Sequence, residues 1–230
     1  AEKILAKHFL KENILSSIVM CGATYLGLNK IVHNFEGKLI LGQPFTNNEA
    51  VLDKVATVLN KIFPVIKSDN IFGMKWLKVF VNANNALAAI IGKSMQEAFS
   101  NLELCKVSMR IWQEGLDIVK KAGIKLVSLP DFPLERLEKL AALPLEESAK
   151  VFSGIMTSLS KEPLYGSILQ SLKRNRFSEI DYINGAFVSL AKEHNFKAKL
   201  NQKLVELVHR VEQKKRFMSI PELIERLKQP

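Results

Sequence analysis

The stretch Trp76-Leu77-Lys78-Val79-Phe80-Val81-Asn82-Ala83-Asn84-Asn85-Ala86-Leu87 opens the long helical part of this chain of 230 residues. It sets one lysine and three asparagines among apolar residues that a helix would bury. At about 100° per residue, Lys78, Asn82 and Asn85 fall on one stripe of that helix. A buried amide or ammonium costs free energy unless it finds a partner. The stripe therefore predicts either a bound ligand that supplies partners or a polar seam between helices that protein and water satisfy.

Helical patterns continue from this stretch to the end of the chain. Apolar residues recur at helical spacing, while glycines, prolines and capping residues separate the segments. Ser94 and Ser219 are expected to cap helix starts, and Gly123 and Asn195 are expected to end helices in the left-handed conformation. The predicted helices cover residues 70–91, 94–99, 101–122, 133–142, 144–159, 164–173, 178–194, 201–214 and a final segment that opens at Ser219.

Residues 1–67 have a different, α/β pattern. A short amphipathic helix is predicted over residues 1–12, and a longer helix over Asn47–Phe63. Lys30–Phe35 and Lys38–Leu41 are predicted to form a hairpin around Glu36-Gly37. The segment has few strands and no opening βαβ unit, which is typical of the tail of a sheet domain. The chain is therefore expected to be mainly α, with an α/β remnant at 1–67 and a helical domain at 68–230.

Composition limits the classes of partner. The net charge is +10, and residues 161–230 contribute +6 of it through 14 basic and 8 acidic side chains. A basic surface favours anionic partners such as phosphates or carboxylates, although a solvated face explains it equally well. No aromatic residues alternate with the basic runs as in single-strand binding surfaces, so nucleic acid is not a predicted partner.

Two further classes of site are not predicted. The apolar runs are too short to cross a bilayer, so no membrane partner is expected. The two cysteines, Cys21 and Cys105, lack the spacing of metal ligands and lie in apolar surroundings. They indicate buried free thiols in a reducing cytoplasm and no metal site.

Three motifs in order resemble one family, ketopantoate reductase (2-dehydropantoate 2-reductase). The first is Trp76-x-Lys78-x-x-x-Asn82, followed by Asn-Ala-Leu at residues 85–87. The second is Ser167-Ile-Leu-Gln, followed twelve residues after the serine by Glu-Ile-Asp-Tyr-Ile-Asn-Gly at residues 179–185. The third and weaker one is Gly-Ala-Thr at residues 22–24, with Leu-Gly at residues 41–42. The resemblance extends over nearly the whole chain.

This resemblance implies an activity and a fold. Family members reduce 2-dehydropantoate to pantoate with NADPH, on the route to pantothenate and coenzyme A. They combine an N-terminal dinucleotide-binding domain of the Rossmann type with an all-helical domain of the 6-phosphogluconate-dehydrogenase-like type, and the active site lies in the cleft between them. Members often form homodimers through the helical domain, so a homodimer is a further implication.

The resemblance also implies roles for individual residues. Lys78 corresponds to the catalytic lysine that donates a proton to the keto oxygen, and Glu179 to the glutamate that orders the polar site. Asn82, Asn85 and Ser167 correspond to residues that contact substrate. The alternatives are local: Ser167 caps a short helix after Gly166, and Glu179 serves a helix N-terminus.

The chain also departs from the family pattern. No G-x-G-x-x-G motif is present, so the cofactor-binding residues are not identified. Residues 1–67 are expected to be only the last part of the cofactor domain, and the chain is expected to be an inactive fragment. Ser171 and Lys199 replace an acidic residue and a proline, which leaves the exact 2-keto acid open. The alternatives are a reductase of another small 2-keto acid and a non-enzymatic basic helical module that binds an anionic partner.

Overall fold

The computed structural model of the chain describes residues 2–228, and the side chains of all of these except residues 24–26, 34 and 35. The chain forms two compact units, Ala1–Lys75 and Trp76–Pro230. The division falls within one helix, at the start of the lysine and asparagine stretch. The boundary predicted between residues 67 and 68 separates two types of domain, whereas the observed division separates two compact units. The predicted boundary therefore stays a prediction.

The first unit contains five strands and two helices, followed by the start of a third. A 3-10 turn at Lys11–Asn13 also lies here. The elements are α1 (Glu2–Leu5), β1 (Ser16–Val19), β2 (Gly22–Gly27), β3 (Lys30–Phe35), β4 (Leu39–Gly42), α2 (Glu49–Leu59), β5 (Val65–Ser68) and the start of α3 (Ile71–Ala83).

These strands form two sheets. One has the order β1-β4-β5, with β1 antiparallel and β5 parallel to β4. The other is the antiparallel pair β2–β3. Because a parallel pair needs a crossover, α2 connects β4 to β5 as a βαβ unit. Ile40 and Leu41 of β4 are almost completely buried, which is expected for the central strand of a sheet.

Two predictions for this unit are wrong. β3 pairs with β2 and not with β4, so the hairpin turn lies at Leu28-Asn29 instead of Glu36-Gly37. Asn29 has a φ of 60°, a left-handed conformation that asparagine tolerates well in such turns. The helix predicted over residues 1–12 covers only Glu2–Leu5 and is followed by a turn and the 3-10 segment.

The short helix α1 is held by a partly buried ion pair. The Glu2 carboxylate accepts hydrogen bonds from the Lys75 ammonium and the Ser16 hydroxyl. Burial acts against the charged carboxylate, but these hydrogen bonds outweigh it and lower the pKa of Glu2 to about 2. Lys75 is therefore a structural residue of the first unit.

The second unit is all-helical in its described part, apart from one isolated bridge between Leu129 and Phe132. No helix among residues 2–228 is long and apolar enough to span a bilayer. After the rest of α3, the helices are α4 (Asn85–Ile91), α5 (Met95–Phe99), α6 (Leu102–Lys121), α7 (Leu134–Ala142), α8 (Leu145–Thr157), α9 (Ser167–Lys173), α10 (Asn184–Glu193), α11 (Lys199–Lys214) and α12 (Ile220–Lys228).

The capping predictions for this unit are confirmed. Ser94 and Glu97 form a complete capping box at the start of α5. The Ser219 hydroxyl accepts from the backbone N–H of Glu222 at 3.3 Å. Asn195 and Gly123 take φ values of 60° and 68° after α10 and α6. These signals are local, which is why the sequence alone identifies them.

Two predicted helices are interrupted, which corrects their bounds. The helix expected over 70–91 ends at Ala83 and restarts at Asn85. The Trp112 indole N–H donates to the Phe80 carbonyl at 2.9 Å, the acceptor that residue 84 uses in a continuous helix. The helix expected over 178–194 consists of a 3-10 turn at Ile180–Tyr182 and then α10, separated by Ile183.

The core of the second unit is aromatic and closely packed. The rings of Phe80 and Phe187 are both fully buried, with centroids 4.9 Å apart in an edge-on arrangement. Both rings lie against Gly115 of α6, where an added Cβ would come within 2.7 Å of Phe80 and 2.9 Å of Phe187. Gly115 therefore sets how closely α3 and α10 approach α6.

Replacing Gly115 by alanine should lower the free energy of unfolding. Alanine gains roughly 1 kcal/mol of helix propensity, but overpacking a filled core costs typically about 1–3 kcal/mol. Chemical denaturation of the two proteins measures the difference. The matched control is Gly154→Ala on α8, where nothing lies within 4 Å of the added Cβ and stability should rise. Equal stabilisation by both substitutions would contradict the packing argument.

Candidate active site

Lys78 is the cationic group of the predicted site, and it lies on α3 at the start of the second unit. Its side chain is half-buried. Within residues 2–228 its ammonium makes no hydrogen bond and no ion pair. Burial lowers the pKa of Lys78 below the ordinary lysine value, because a poorly solvated ammonium is disfavoured. Among the described residues Lys78 thus has no counter-ion, and its lowered pKa makes the ammonium release its proton more readily.

The two asparagines of the stripe are also half-buried. Among the described residues, neither the Asn82 amide nor the Asn85 amide has a hydrogen-bond partner. Asn85 packs against the backbone at Gly166, where an added Cβ would lie 3.1 Å from its Cβ and Cγ. Asn84, the third asparagine of the stretch, is different: it is 2% exposed and belongs to the core rather than to the stripe.

Ser167 and Glu179 form a direct contact, which the sequence analysis did not predict. The Ser167 hydroxyl donates a hydrogen bond to Oε1 of Glu179. Neither side chain makes a capping hydrogen bond, although Glu179 does stand at the N-cap position of the 3-10 turn. Gly166, not Ser167, is the N-cap of α9, and the Glu179 side chain makes no capping bond at the 3-10 turn that follows it. Both side chains are exposed, so the pair is accessible to a ligand.

The structure therefore brings together part of the predicted set. Asn85, Gly166, Ser167 and Glu179 form one continuous group, through the packing at Gly166 and the hydrogen bond to Glu179. Lys78 lies two turns and Asn82 one turn before Asn85 in the chain, both on α3. Taken together, the side chains offer an ammonium, two amides and a hydroxyl–carboxylate pair. Such groups suit a small ligand that carries carbonyl and carboxylate oxygens.

A first polar network in the second unit was not predicted from the sequence. Glu114 of α6 accepts from the backbone N–H groups of Leu200 and Asn201 at the start of α11, each at 2.9 Å, and from the Asn201 amide at 2.8 Å. The side-chain oxygen of Asn201, Oδ1, in turn accepts a hydrogen bond from the side-chain amide of Asn184 at 2.9 Å. No sequence signal identifies Glu114, because its partners are 86 and 87 residues away.

A second network surrounds His209, to which the sequence assigns no role. Its Nδ1 lies 2.7 Å from Glu212 and its Nε2 lies 3.0 Å from Asp181. Burial opposes protonation of the ring, but the hydrogen bonds to Glu212 and Asp181 outweigh it and raise the pKa of His209 above its ordinary value. Burial likewise opposes ionisation of Glu212. The Ser178 backbone N–H, His209 and the Ser178 hydroxyl nevertheless lower the pKa of Glu212.

Cysteines and metal ligands contribute nothing to the described site. Cys105 is fully buried, and burial raises the pKa of its thiol to about 11, so it is unreactive. Cys21 is only half-buried, which corrects the prediction that both thiols are buried. Within residues 2–228, no group of three or more His, Cys, Asp or Glu side chains is arranged to hold a metal ion.

Comparison with known proteins covers the residues of this site. Residues 70–212 match the family model described as "Ketopantoate reductase PanE/ApbA C terminal". The chain is 25% identical over 213 residues to a 2-dehydropantoate 2-reductase from Archaeoglobus fulgidus. It is 32% identical over 142 residues to one from Pyrococcus horikoshii. These matches cover 92% and 61% of this chain but only 64% and 40% of the two relatives.

A solved structure gives a similar result. The ternary structure of D-mandelate dehydrogenase with NADH and anilino(oxo)acetate superimposes with a TM-score of 0.74 at 25% identity. That match covers 93% of this chain and 64% of the dehydrogenase chain. The family model spans more than half of the chain and includes the lysine stripe as well as the Ser167–Glu179 pair. The chain therefore belongs to the ketopantoate reductase family.

Proposed function

We propose that the complete protein reduces 2-dehydropantoate to pantoate with NADPH, in the biosynthesis of pantothenate and coenzyme A. The observation that carries this proposal is Lys78, a half-buried ammonium on one stripe with two amides, none of which has a hydrogen-bond partner in the described part of the chain. Relatives named 2-dehydropantoate 2-reductase support the substrate. Because the chain spans only part of their length, the activity concerns the whole protein.

Lys78 is the proposed general acid. A ketone that accepts hydride develops negative charge on its oxygen, and a nearby ammonium stabilises that charge and then donates a proton. The pKa of Lys78 is lowered and therefore lies closer to neutral pH, which makes the ammonium a more effective proton donor. The nicotinamide cofactor supplies the hydride. We assign none of the described residues to cofactor binding, because the sequence has no G-x-G-x-x-G motif of the kind that binds the phosphates of a dinucleotide.

The remaining site residues have proposed binding roles. Asn82 and Asn85 are proposed to hydrogen-bond the substrate from the same stripe as Lys78. Ser167 is proposed to contact the carboxylate region of the substrate, while Glu179 fixes the direction of the Ser167 hydroxyl through their hydrogen bond. In these roles the substrate provides the partners that the amides lack among residues 2–228.

A second candidate has its own support. The match to D-mandelate dehydrogenase favours a related 2-keto acid, because the ligand named in that structure, anilino(oxo)acetate, is an oxo acid with an aromatic ring. The cofactor named there is NADH, so the choice between NADH and NADPH is part of the same question.

The cytoplasm is the proposed compartment, supported by the free state of Cys21 and Cys105. Assembly as a homodimer also stays a prediction.

Lys78→Ala in the complete protein should lower kcat about 10²–10⁴-fold, the usual contribution of a positioned general acid. Reduction should also slow as pH rises through the lowered pKa of Lys78, because only the protonated lysine can act as the acid. The pH dependence of kcat measures both effects, and this alkaline loss should be absent in Lys78→Ala. Lys192→Ala, at an exposed position of α10, is the control and should keep full activity. Unchanged turnover in Lys78→Ala would remove lysine from the mechanism.

The Ser167–Glu179 hydrogen bond should produce energetic coupling in catalysis. Ser167→Ala and Glu179→Gln should each lower kcat/KM, and the double variant should lose less than the product of the two losses. Residues that share one hydrogen bond typically couple by about 0.5–3 kcal/mol. The matched control is Ser171→Ala on the same helix, whose effect should simply multiply with that of Glu179→Gln. Multiplicative losses for the Ser167 pair would show that the two side chains act independently.

A panel of 2-keto acids separates the two candidate functions. The complete protein is assayed with 2-dehydropantoate and with phenylglyoxylate, each with NADPH and with NADH. The proposed function requires the highest kcat/KM for 2-dehydropantoate with NADPH. Preference for phenylglyoxylate would favour the second candidate, and absence of turnover with every member of the panel would contradict both.

A further inference from the structure

His209 lies between two carboxylates that come from different parts of the second unit. Its Nδ1 is 2.7 Å from Oε2 of Glu212, one turn further along α11, and its Nε2 is 3.0 Å from Oδ1 of Asp181. A neutral imidazole carries a proton on only one ring nitrogen, and an ionised carboxylate only accepts hydrogen bonds. Both contacts are therefore hydrogen bonds only when His209 is an imidazolium.

Glu212 extends this contact to a third residue. Its Oε1 accepts from the backbone N–H of Ser178 at 2.8 Å and from the Ser178 hydroxyl at 2.7 Å. The Glu212 side chain is buried, with the residue 4% exposed. A buried carboxylate is stable when its oxygens are hydrogen-bonded, and this one has partners on both oxygens. Glu212 thus links His209 to the backbone of the segment that precedes α10.

The residues held in this way flank Glu179. Ser178 immediately precedes it and is held by Glu212, while Asp181 follows two residues later and is held by His209. The backbone of this segment forms only a single 3-10 turn, in which the Tyr182 N–H donates a hydrogen bond to the Glu179 carbonyl at 2.9 Å. We call Ser178–Asp181 together with His209 and Glu212 the histidine clamp.

We propose that protonated His209 is a positioning residue, which fixes the segment around Glu179 so that its carboxylate stays at the Ser167 hydroxyl. This inference rests on the proposed function for its effect on catalysis, but not for the clamp itself. His209 touches no reacting group. It acts through Asp181 and Glu212, and its loss should disturb the orientation of the Ser167–Glu179 pair.

The clamp implies a definite direction of pH dependence. Asp181 and Glu212 are the charged groups that face His209 among the described residues, and together they raise its pKa despite its partial burial. A group whose pKa is raised on folding contributes stability below its unfolded-state pKa, and this contribution is lost as pH rises through the folded-state pKa. The segment around Glu179 should therefore loosen as pH rises through the raised pKa of His209.

Three measurements on the complete protein test the proposal. Nitrogen-15 NMR of the histidine rings gives the pKa of His209. Hydrogen exchange of the backbone amides of residues 178–183 reports how firmly the segment is held. Kinetics with 2-dehydropantoate give kcat/KM against pH.

The variants are His209→Gln, which keeps a donor for only one carboxylate, and His209→Arg, which keeps the charge and several donors at every pH. His194→Gln, at an exposed ring stacked on Phe196, is the matched control.

The expected results are specific. The pKa of His209 should lie above the ordinary histidine value, and in His209→Gln the amides of residues 178–183 should exchange about tenfold faster or more, since hydrogen bonds to charged groups are lost. The kcat/KM of His209→Gln should fall by a similar factor and lose the lower of two alkaline transitions, while the transition that belongs to Lys78 remains. His209→Arg should restore slow exchange and should also lack the lower transition. His194→Gln should change none of these quantities.

Contradictory results are equally distinct. An ordinary pKa for His209, or unchanged exchange of residues 178–183 in His209→Gln, would overturn the clamp. A loss of activity without faster exchange would overturn the positioning role. If the wild-type protein reduces no 2-keto acid, the proposed function fails instead. The NMR and exchange results still decide whether the clamp exists, so the two failures are distinguishable.

Discussion

The hydrogen bond from the Trp112 indole to the Phe80 carbonyl fixes the geometry on which the rest of the second unit depends. It occupies an acceptor of the α3 backbone, and the helix ends three residues later, at Ala83. Phe80 packs beside Phe187, and Gly115 leaves the space that both rings need. One buried donor thereby joins α3, α6 and α10.

Satisfied and unsatisfied polar groups are distributed unevenly in this unit. Glu114 and Glu212 have hydrogen-bond partners on both carboxylate oxygens, and all of these partners except His209 come from distant parts of the chain. Lys78, Asn82 and Asn85 are half-buried as well, yet none has a partner among residues 2–228. A polar seam between helices would resemble the first group, because desolvated donors are costly. The contrast favours a ligand as the missing partner of the stripe.

The sequence predicts what depends on neighbouring residues and misses what depends on distant ones. The capping box at Ser94 and the left-handed Asn195 were predicted, since both signals lie within one turn of the helix end. The family resemblance singled out Ser167 and Glu179, but their contact is known only from the structure and their roles are still proposals. The strand pairing of β3 and the role of His209 were missed. Each is decided by a partner whose position a single sequence does not reveal.

The long-range bonds around Glu179 also have a consequence for the order of folding. Ser178 and Glu212 are 34 residues apart, Asp181 and His209 are 28 apart, and Glu114 holds the start of α11 across 87 residues. Contacts of large sequence separation form late, because closing the intervening loop costs entropy before any contact is gained. During synthesis, helices α3–α9 can pack while α11 is still inside the ribosome. The segment that carries Glu179 then takes its final shape only when α11 has emerged and docked.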